Sequence, residues 1–82
     1  MKLYGFSRSS AAFRVRIALN LKGISWEHVN ISLPDGDQFH NEYKKLNPQG
    51  RVPTLIDGDR ILYQSMAILE YLDETHPDPA FL

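Results

Sequence analysis

Cysteine is absent from the 82-residue sequence. This absence excludes a disulfide framework, a CxxC redox pair, thiolate metal ligands and a protein thiol nucleophile, and it fits a cytoplasmic protein. Charge of one sign is also not in excess, because the net charge is only −1. We therefore expect neither nucleic acid nor an anionic membrane as a partner. No apolar run approaches the roughly 20 residues that a membrane-spanning helix needs.

Without cysteine, histidine is the residue type that would most readily signal a transition-metal site. His28, His40 and His76 stand far apart in the sequence and lack the spacing of metal ligands, so we predict no metal site. The 82 residues, of which 43% are hydrophobic, suffice for one small globular domain. A domain of this size buries only about 60–65% of its unfolded surface, so we expect a thin core.

Turn residues divide the chain into short segments of regular pattern. Alternating apolar and polar residues predict strands, and apolar residues three or four apart predict helices. Gly23 ends the first helix, the Asp57-Gly58 pair joins two strands as a hairpin, and Ser65 is a candidate cap of the last helix. Pro77 and Pro79 end that helix. The predicted strands are residues 2–6, 25–33, 54–56 and 60–63, and the predicted helices are residues 11–22, 38–46 and 65–75.

The resulting order of elements is β-α-β-α-β-β-α. A helix between the first two strands implies a right-handed crossover and a parallel pair, whereas the later hairpin is antiparallel. We therefore predict an α/β protein with a mixed four-stranded sheet in the thioredoxin-like arrangement.

The first predicted helix is apolar on two sides. Ala12, Val15 and Leu19 belong to one broad stripe, and a second row follows at a spacing of four residues. The second row consists of Phe13, Ile17 and Leu21. A helix that is apolar on two sides is usually covered on two sides, so we expect the sheet to cover one row and another structure to cover the second.

A proline stands at the entrance of the third predicted strand. Pro53 has no N–H to give to a sheet, so it belongs at a strand's first residue, a bulge or an edge. Val52 before it is driven towards an extended conformation, and its N–H and C=O form a candidate docking edge for a peptide-like ligand. The alternative is that Pro53 only ends a loop. Because thioredoxin-like folds carry a cis-proline at this place, we expect a cis Val52–Pro53 bond.

Serines precede the first helix. Ser9 and Ser10 are good N-cap candidates, because a hydroxyl can accept a hydrogen bond from a free N–H of the first turn. From spacing alone, capping and ligand binding both remain open for these two residues.

Four stretches of the sequence carry a resemblance to a known family. They are SSAAFRVRIAL at residues 9–19, LNP at residues 46–48, VPTL at residues 52–55 and QSMAILEYL at residues 64–72. With them the chain resembles the N-terminal domain of a glutathione transferase, and more narrowly of the zeta class, which includes maleylacetoacetate and maleylpyruvate isomerases. The RVRIAL piece is specific to zeta-like proteins, whereas the VP and QS pieces occur across many transferase classes.

The resemblance implies glutathione as the cofactor and gives roles to residues of this chain. Ser9, with Ser10 as second choice, would donate a hydrogen bond to the thiol and favour its thiolate form. The backbone of Val52, presented by Pro53, would pair with the cysteinyl part of glutathione. Gln64 and Ser65 would hold the γ-glutamyl carboxylate at a helix N-terminus, where anions bind readily.

Three further residues are weaker candidates by the same resemblance. Gln38 would reach the glycyl end of glutathione. Arg8 and Arg14 flank the expected site: Arg8 is a candidate for binding a dicarboxylate substrate, since guanidinium matches carboxylate geometry, and Arg14 is a further candidate for the cofactor. The alternative for both arginines is a solvated surface position.

One position departs from the zeta signature. Ala11 stands where that signature has cysteine. The resemblance ties the cysteine to dehalogenation, which Ala11 puts in doubt, and it ties isomerisation to the serine that remains.

By resemblance, the reaction is a glutathione-dependent cis–trans isomerisation of a small maleyl dicarboxylate. The alternatives are a general glutathione transferase acting on an electrophile and a non-catalytic transferase-like interaction module. Residues 1–82 would then be the N-terminal domain, with a linker starting at residues 79–82 and a helical second domain absent from this chain. We expect the full-length protein to be a homodimer and this domain alone to have little isomerase activity.

Overall fold

The structure is a computed structural model that describes residues 1–78. Four strands and three helices follow one another within these 78 residues. The strands are β1 (Lys2–Gly5), β2 (Glu27–Asn30), β3 (Thr54–Asp57) and β4 (Arg60–Tyr63), and the helices are α1 (Ser10–Leu21), α2 (Asn41–Leu46) and α3 (Ser65–Thr75), with a 3₁₀ turn at Asp37–Phe39. Pro79 and the expected linker lie outside the described residues.

The strands form one mixed sheet in the order β2-β1-β3-β4. β1 is parallel to β2, antiparallel β3 lies on its other side, and β4 is antiparallel to β3. This topology confirms the predicted thioredoxin-like fold. The predicted parallel pair follows from the α1 crossover, and the antiparallel pair follows from the turn at Asp57-Gly58.

The core lies between the sheet and the pair formed by α1 and α3. Leu3 and Leu55 are cross-strand neighbours, so both point to the same face of the sheet. Val15 and Leu19 of α1 and Ile68 and Leu72 of α3 are fully buried in the same cluster. Each such side chain stabilises the fold by about 1.5–3 kcal/mol relative to exposure, so this single layer supplies most of the hydrophobic stabilisation.

The second apolar row of α1 faces away from this core. Phe13, Ile17 and Leu21 are 53%, 42% and 60% exposed. The two-sided pattern of the helix is therefore present, and within residues 1–78 only one of its sides is covered.

A buried ion pair joins the C-terminal ends of α1 and α3. The Lys22 ammonium, whose side chain is fully buried, donates to Asp73 Oδ1 at 3.1 Å and to the backbone oxygen of His76. The pair fixes α3 along α1 and anchors the chain directly after α3.

The other face of the sheet carries α2. Tyr43 is buried there, whereas Phe39 is 63% exposed. The predicted helix over residues 38–46 is wrong as one element, because His40 is extended (φ −67°, ψ 143°) and separates the 3₁₀ turn from α2. The predicted strand over residues 25–33 is likewise shorter, since β2 extends only as far as its pairing with the four residues of β1.

Candidate functional site

A cavity of about 520 Å³ opens where three parts of the fold meet. These parts are the first turn of α1, the loop that leads into β3, and the first turn of α3. The lining residues are Ala11, Asn47, Gln49, Arg51, Val52, Pro53, Gln64 and Ser65. Two helix N-termini and an irregular backbone segment therefore face one space.

Val52 contributes an unpaired stretch of backbone to this cavity. Its peptide bond to the buried Pro53 is cis. Among residues 1–78, neither the N–H nor the C=O of Val52 takes part in a backbone hydrogen bond outside the regular elements, and β3 begins only at Thr54. Backbone polar groups need partners, so this segment can pair with an extended ligand in the manner of an added strand.

Buried polar side chains hold the loop before β3 in place. Asn47 donates from Nδ2 to the Arg51 carbonyl at 3.0 Å and to Thr54 Oγ1 at 3.2 Å, and its Oδ1 accepts from the N–H of Gln49 at 3.0 Å. The Tyr43 hydroxyl donates to the same Arg51 carbonyl and lies 2.8 Å from Thr54 Oγ1. The carbonyl one residue before Val52 is therefore fixed by two donors.

The protonation state of Tyr43 suits this role. Burial raises the pKa of the Tyr43 phenol above its ordinary value, with hydrogen bonds to Thr54 and Asn47 opposing the rise. The hydroxyl is thus neutral and able to donate its proton to the Arg51 carbonyl at any physiological pH.

The first turn of α3 is the second feature of the cavity. Gln64 precedes the helix with φ 67° and ψ 128°, and it is the single non-glycine residue with positive φ in the described part of the chain. Such a conformation costs about 1–3 kcal/mol and is concentrated at functional sites. The prediction that Ser65 caps α3 is wrong, because Gln64 is the N-cap and no side chain caps the helix.

Because α3 is uncapped, its first N–H groups lack both intrahelical and side-chain partners. Those groups and the helix dipole make the start of α3 a favourable place for an anion. Both Gln64 and Ser65 line the cavity, so an anionic ligand group there would meet free donors.

The first turn of α1 lies at the opposite wall. Ser9 is the N-cap of α1, and its Oγ accepts from the N–H of Ala12 at 3.2 Å. That bond uses an oxygen lone pair, so the hydroxyl proton remains available to donate elsewhere. Ser10 is the first residue of the helix and is exposed, and Ala11 reaches the cavity itself.

The structure thus brings together only part of the predicted site. Val52, Pro53, Gln64 and Ser65 line the cavity, with Ala11 of the serine motif. The predicted residues that do not line it are Ser9, Ser10, Arg8, Arg14 and Gln38, of which Ser10, Arg8 and Arg14 are exposed. Arg8 therefore stays a candidate for contact with a substrate, and Arg14 stays a candidate for contact with the cofactor, but neither is part of the cavity wall.

Gln38 lies behind the cavity wall rather than in it. The backbone oxygen of Gln38 is 3.2 Å from the place where a Cβ on Gly50 would stand, and Gly50 has φ 63°. Only glycine fits such a contact at a positive φ, so the 3₁₀ turn packs directly against the loop. The side-chain Oε1 of Gln38 is buried and has no hydrogen-bond partner within residues 1–78.

Sequence reasoning missed three polar residues of the cavity. Asn47, Gln49 and Arg51 line it, and none of the three was among the predicted site residues. Arg51 carried a usable signal, because a cation directly before Val52 stands beside any ligand that pairs with that residue. The buried position of Asn47 depends on contacts with Tyr43 and Thr54 that no local pattern shows.

Metal ligands and membrane-spanning helices are the two other features to consider among residues 1–78. No group of three or more histidine, aspartate or glutamate side chains there is arranged to hold a metal ion. None of the helices in the same range is long and apolar enough to cross a membrane.

Comparison with known proteins assigns this chain to a family. Residues 3–80 match the model of the glutathione S-transferase N-terminal domain. Glutathione S-transferase Z1 of Arabidopsis thaliana is 52% identical, covering 100% of this chain and 37% of that protein. A probable maleylacetoacetate isomerase of Vibrio cholerae is 54% identical, covering 98% of this chain and 38% of that protein.

Solved structures agree with these relatives. A bacterial maleylpyruvate isomerase, described as a zeta-class glutathione S-transferase in its holo form, superposes with a TM-score of 0.96 at 48% identity, covering 100% of this chain and 39% of that one. Maleylacetoacetate isomerase of Methylobacterium extorquens AM1, solved with malonate and GSH, gives a TM-score of 0.90 at 58% identity, covering 93% and 36%.

The chain spans only 36% to 39% of the length of these four proteins. Within that span, the family model matches residues 3–80, and the maleylpyruvate isomerase structure covers the whole chain. The chain belongs to the glutathione S-transferase N-terminal domain family, and its similar relatives include zeta-class transferases and maleylacetoacetate and maleylpyruvate isomerases.

Proposed function

We propose that this chain is the glutathione-binding domain of a glutathione-dependent isomerase of maleyl compounds. The observation that carries the proposal is the meeting of the unpaired Val52 backbone with the uncapped start of α3 in one cavity. Similarity over the whole chain to maleylacetoacetate and maleylpyruvate isomerases supports the same function.

The cavity fits the chemistry of glutathione. A tripeptide has backbone amides that can pair with the N–H and C=O of Val52. It has carboxylates, for which the free N–H groups of α3 beside Gln64 and Ser65 are suitable partners. Arg51, an exposed cation on the cavity wall, adds a favourable charge for the second carboxylate.

Ser9 is the candidate for thiol activation. Its hydroxyl proton is not used in the capping bond to Ala12, and the N-terminus of α1 adds a favourable dipole for a thiolate. A free thiol has a pKa of about 8.5, and lowering it by two units corresponds to about 2.7 kcal/mol of preferential stabilisation of the thiolate. When bound, glutathione would supply a thiol nucleophile for reversible addition to the substrate double bond.

Arg8 is the candidate for the substrate side of the reaction. It is exposed in the loop directly before Ser9, and a guanidinium pairs well with carboxylates. The Methylobacterium extorquens relative was solved with malonate, itself a dicarboxylate, together with GSH. We propose that Arg8 orients a maleyl dicarboxylate beside the thiol that Ser9 holds.

An NMR titration of this chain with reduced glutathione tests the cofactor part of the proposal. Saturable amide shifts at Ser9, Val52, Gln64 and Ser65 are expected. Gln64→Ala should weaken glutathione binding. The control Ser25→Ala, at an exposed position before β2, should leave glutathione binding unchanged. A folded sample without shifts at millimolar glutathione would contradict the proposal and favour an interaction module.

The isomerase part is tested on the full-length protein. With glutathione present, conversion of maleylacetoacetate or maleylpyruvate to the fumaryl product is followed by absorbance. Ser9→Ala should lower kcat at pH 7 about 20-fold, because the thiolate fraction falls when the pKa returns to its free value. If Ser9→Ala keeps full activity and Ser10→Ala loses activity, Ser10 rather than Ser9 activates the thiol.

We further propose that a helical segment of the full-length protein covers the exposed row on α1. Phe13, Ile17 and Leu21 form a continuous apolar strip, which is costly to leave in water. Replacing Ile17 by glutamate should separate the two parts, detected as earlier proteolysis between them. Unchanged proteolysis would contradict this assignment of the strip.

For the assembly, we propose a homodimer in the cytoplasm. Ile61 on β4 and Met66 on α3 are 44% and 53% exposed, which supplies apolar surface for a subunit contact. The lack of cysteine is compatible with a reducing compartment. Sedimentation analysis of the full-length protein, with Met66→Lys as the interface variant and Lys45→Met as the control, should show a dimer that only the first change weakens.

A further inference from the structure

A second cavity, of about 370 Å³, lies on the α2 side of the sheet. We call it the α2 cavity; its lining residues come from β1, β2 and the segment that includes the 3₁₀ turn and α2, and none of them lines the first cavity. Tyr4 borders it because alternation along β1 directs this side chain away from the α1 face to which Leu3 points. The cavity is thus separate from the proposed glutathione site.

We propose that the α2 cavity binds a small organic cation with an aromatic body, the chemistry of an arylalkylamine. This inference does not depend on the proposed glutathione function. Its size lies in the range of small-molecule sites, which are mostly apolar with a few placed polar groups.

The walls of the α2 cavity suit an aromatic body. The rings of Tyr4 and Tyr43 lie with centroids 5.7 Å apart and an interplanar angle of 46°, so both are tilted rather than stacked against each other. Val29, Ile31 and Leu46 complete an apolar lining. Aromatic rings accept both another ring and a cation above their faces.

The Tyr43 wall is rigid. Its hydroxyl is held by the Arg51 carbonyl and by Thr54 Oγ1 on the side of the first cavity. The ring therefore cannot swing into the α2 cavity without breaking buried hydrogen bonds, and the space is a lasting feature of the fold rather than a gap that the side chain closes.

The charge at the rim selects a cation. Asp37 and Glu42 line the α2 cavity, and no lysine or arginine does. Asp37 uses Oδ2 to accept from the N–H of Ser32 at 2.9 Å, while its Oδ1 is 3.9 Å from His40 Nδ1, beyond hydrogen-bond length. That oxygen can accept from an ammonium group.

Lys44 of α2 contacts an aromatic ring outside the α2 cavity. Lys44 Nζ lies over the ring of Phe39 at 6.0 Å from its centroid, and Phe39 packs towards Gly50 rather than lining the α2 cavity. Besides the two carboxylates, the one titratable side chain of the lining that can carry a positive charge is the exposed His40, whose Nδ1 is 3.9 Å from Asp37 Oδ1. An anion would therefore meet two carboxylates and no lysine or arginine from the lining.

The probe for this proposal is 2-phenylethylamine, titrated into the 82-residue chain and followed by amide shifts. We expect saturable shifts at Val29, Asp37, Glu42 and Leu46, with a dissociation constant on the order of 1 mM, as suits a ligand of this size. The neutral analogue 2-phenylethanol should bind at least about 5-fold more weakly, and the anion 3-phenylpropionate should not bind there. Higher salt should weaken the amine.

A pair of charge variants locates the site. Glu42→Gln removes one exposed carboxylate of the rim and should raise the dissociation constant of the amine about 3- to 10-fold. Glu74→Gln, an equally exposed change on α3, should leave it unchanged.

Three results would overturn the proposal. The first is no saturable shift at 20 mM amine in a folded sample, and the second is equal affinity for the alcohol and the amine. The third is a set of shifts centred on Val52 and Gln64, which would place the amine in the first cavity. A loss of glutathione binding alone would leave the proposal intact, because the two cavities share no lining residue.

Discussion

Replacing Asn47 by alanine tests whether the buried polar network shapes the proposed glutathione site. Asn47 is 1% exposed, and its side chain forms hydrogen bonds with Gln49, Arg51 and Thr54. The substitution removes these bonds together. It also frees the backbone between Asn47 and Val52 to move, so both stability and ligand affinity should fall.

The size of the effect follows from the partners that remain. A hydrogen bond contributes about 0.5–1.5 kcal/mol net, and more is lost when a buried partner is left without one. The Arg51 carbonyl and Thr54 Oγ1 both keep Tyr43 as a partner, and the exposed Gln49 can turn to water. We therefore expect the free energy of unfolding to fall by about 2–3 kcal/mol, equivalent to a Tm lower by roughly 10–20 °C for a domain of this size.

Urea denaturation followed by circular dichroism measures this change, and titration with glutathione measures the affinity. The matched control is Asn30→Ala, an exposed asparagine of β2, which should change the free energy of unfolding by less than about 0.5 kcal/mol. If Asn47→Ala costs no more than the control, the network does not hold the loop. If stability falls as expected but glutathione affinity is unchanged, the loop does not shape the binding site.

Three further predictions follow from other contacts. Gln64→Gly should raise the free energy of unfolding by about 1 kcal/mol, because glycine adopts a positive φ without strain, and it should weaken glutathione binding. A less stable variant would show that the backbone at Gln64 is not strained. Lys22→Met should lower the free energy of unfolding, measured by urea denaturation, by about 3 kcal/mol, because it removes the buried ammonium from the ion pair with the nearly buried Asp73. Lys2→Met changes an exposed pair and should lower the free energy of unfolding by less than about 1 kcal/mol. Because burial raises the pKa of Tyr43 in the folded state, the unfolded chain loses this proton first, so stability should fall as pH rises above about 10; in Tyr43→Phe this fall should be smaller, and an equal fall would contradict the assignment.

Local signals predicted the elements whose limits are set locally. β4 has its predicted bounds, Arg60–Tyr63, because the Asp57-Gly58 turn and the alternation that follows are both within the segment. α1 and α3 lie within one residue of their predicted limits for the same reason. The limits of β2 could not be predicted from local signals. Its alternating pattern extends beyond the four residues that pair with β1.

The site was less predictable because its geometry comes from distant contacts. The positive φ of Gln64 contradicts the preference of its residue type, and no neighbour in the sequence indicates it. The extended His40 separates Phe39 from α2, and no local signal in the predicted helix over residues 38–46 indicated this break. The extended backbone at Val52 could be predicted from the sequence, because a proline restricts the conformation of the residue directly before it.

The hydrogen bond from the Lys22 ammonium to the His76 carbonyl determines where a protein fused after His76 would lie. Polypeptide continuing past His76 starts at the C-terminal end of α1, while Ala11 borders the first cavity near the other end of that helix. The 11 helical steps from Ala11 to Lys22 correspond to a separation of about 17 Å. A reporter protein or a surface linker attached on this side would therefore leave the cavity mouth unobstructed, which makes this side suitable for immobilising the domain on a sensor.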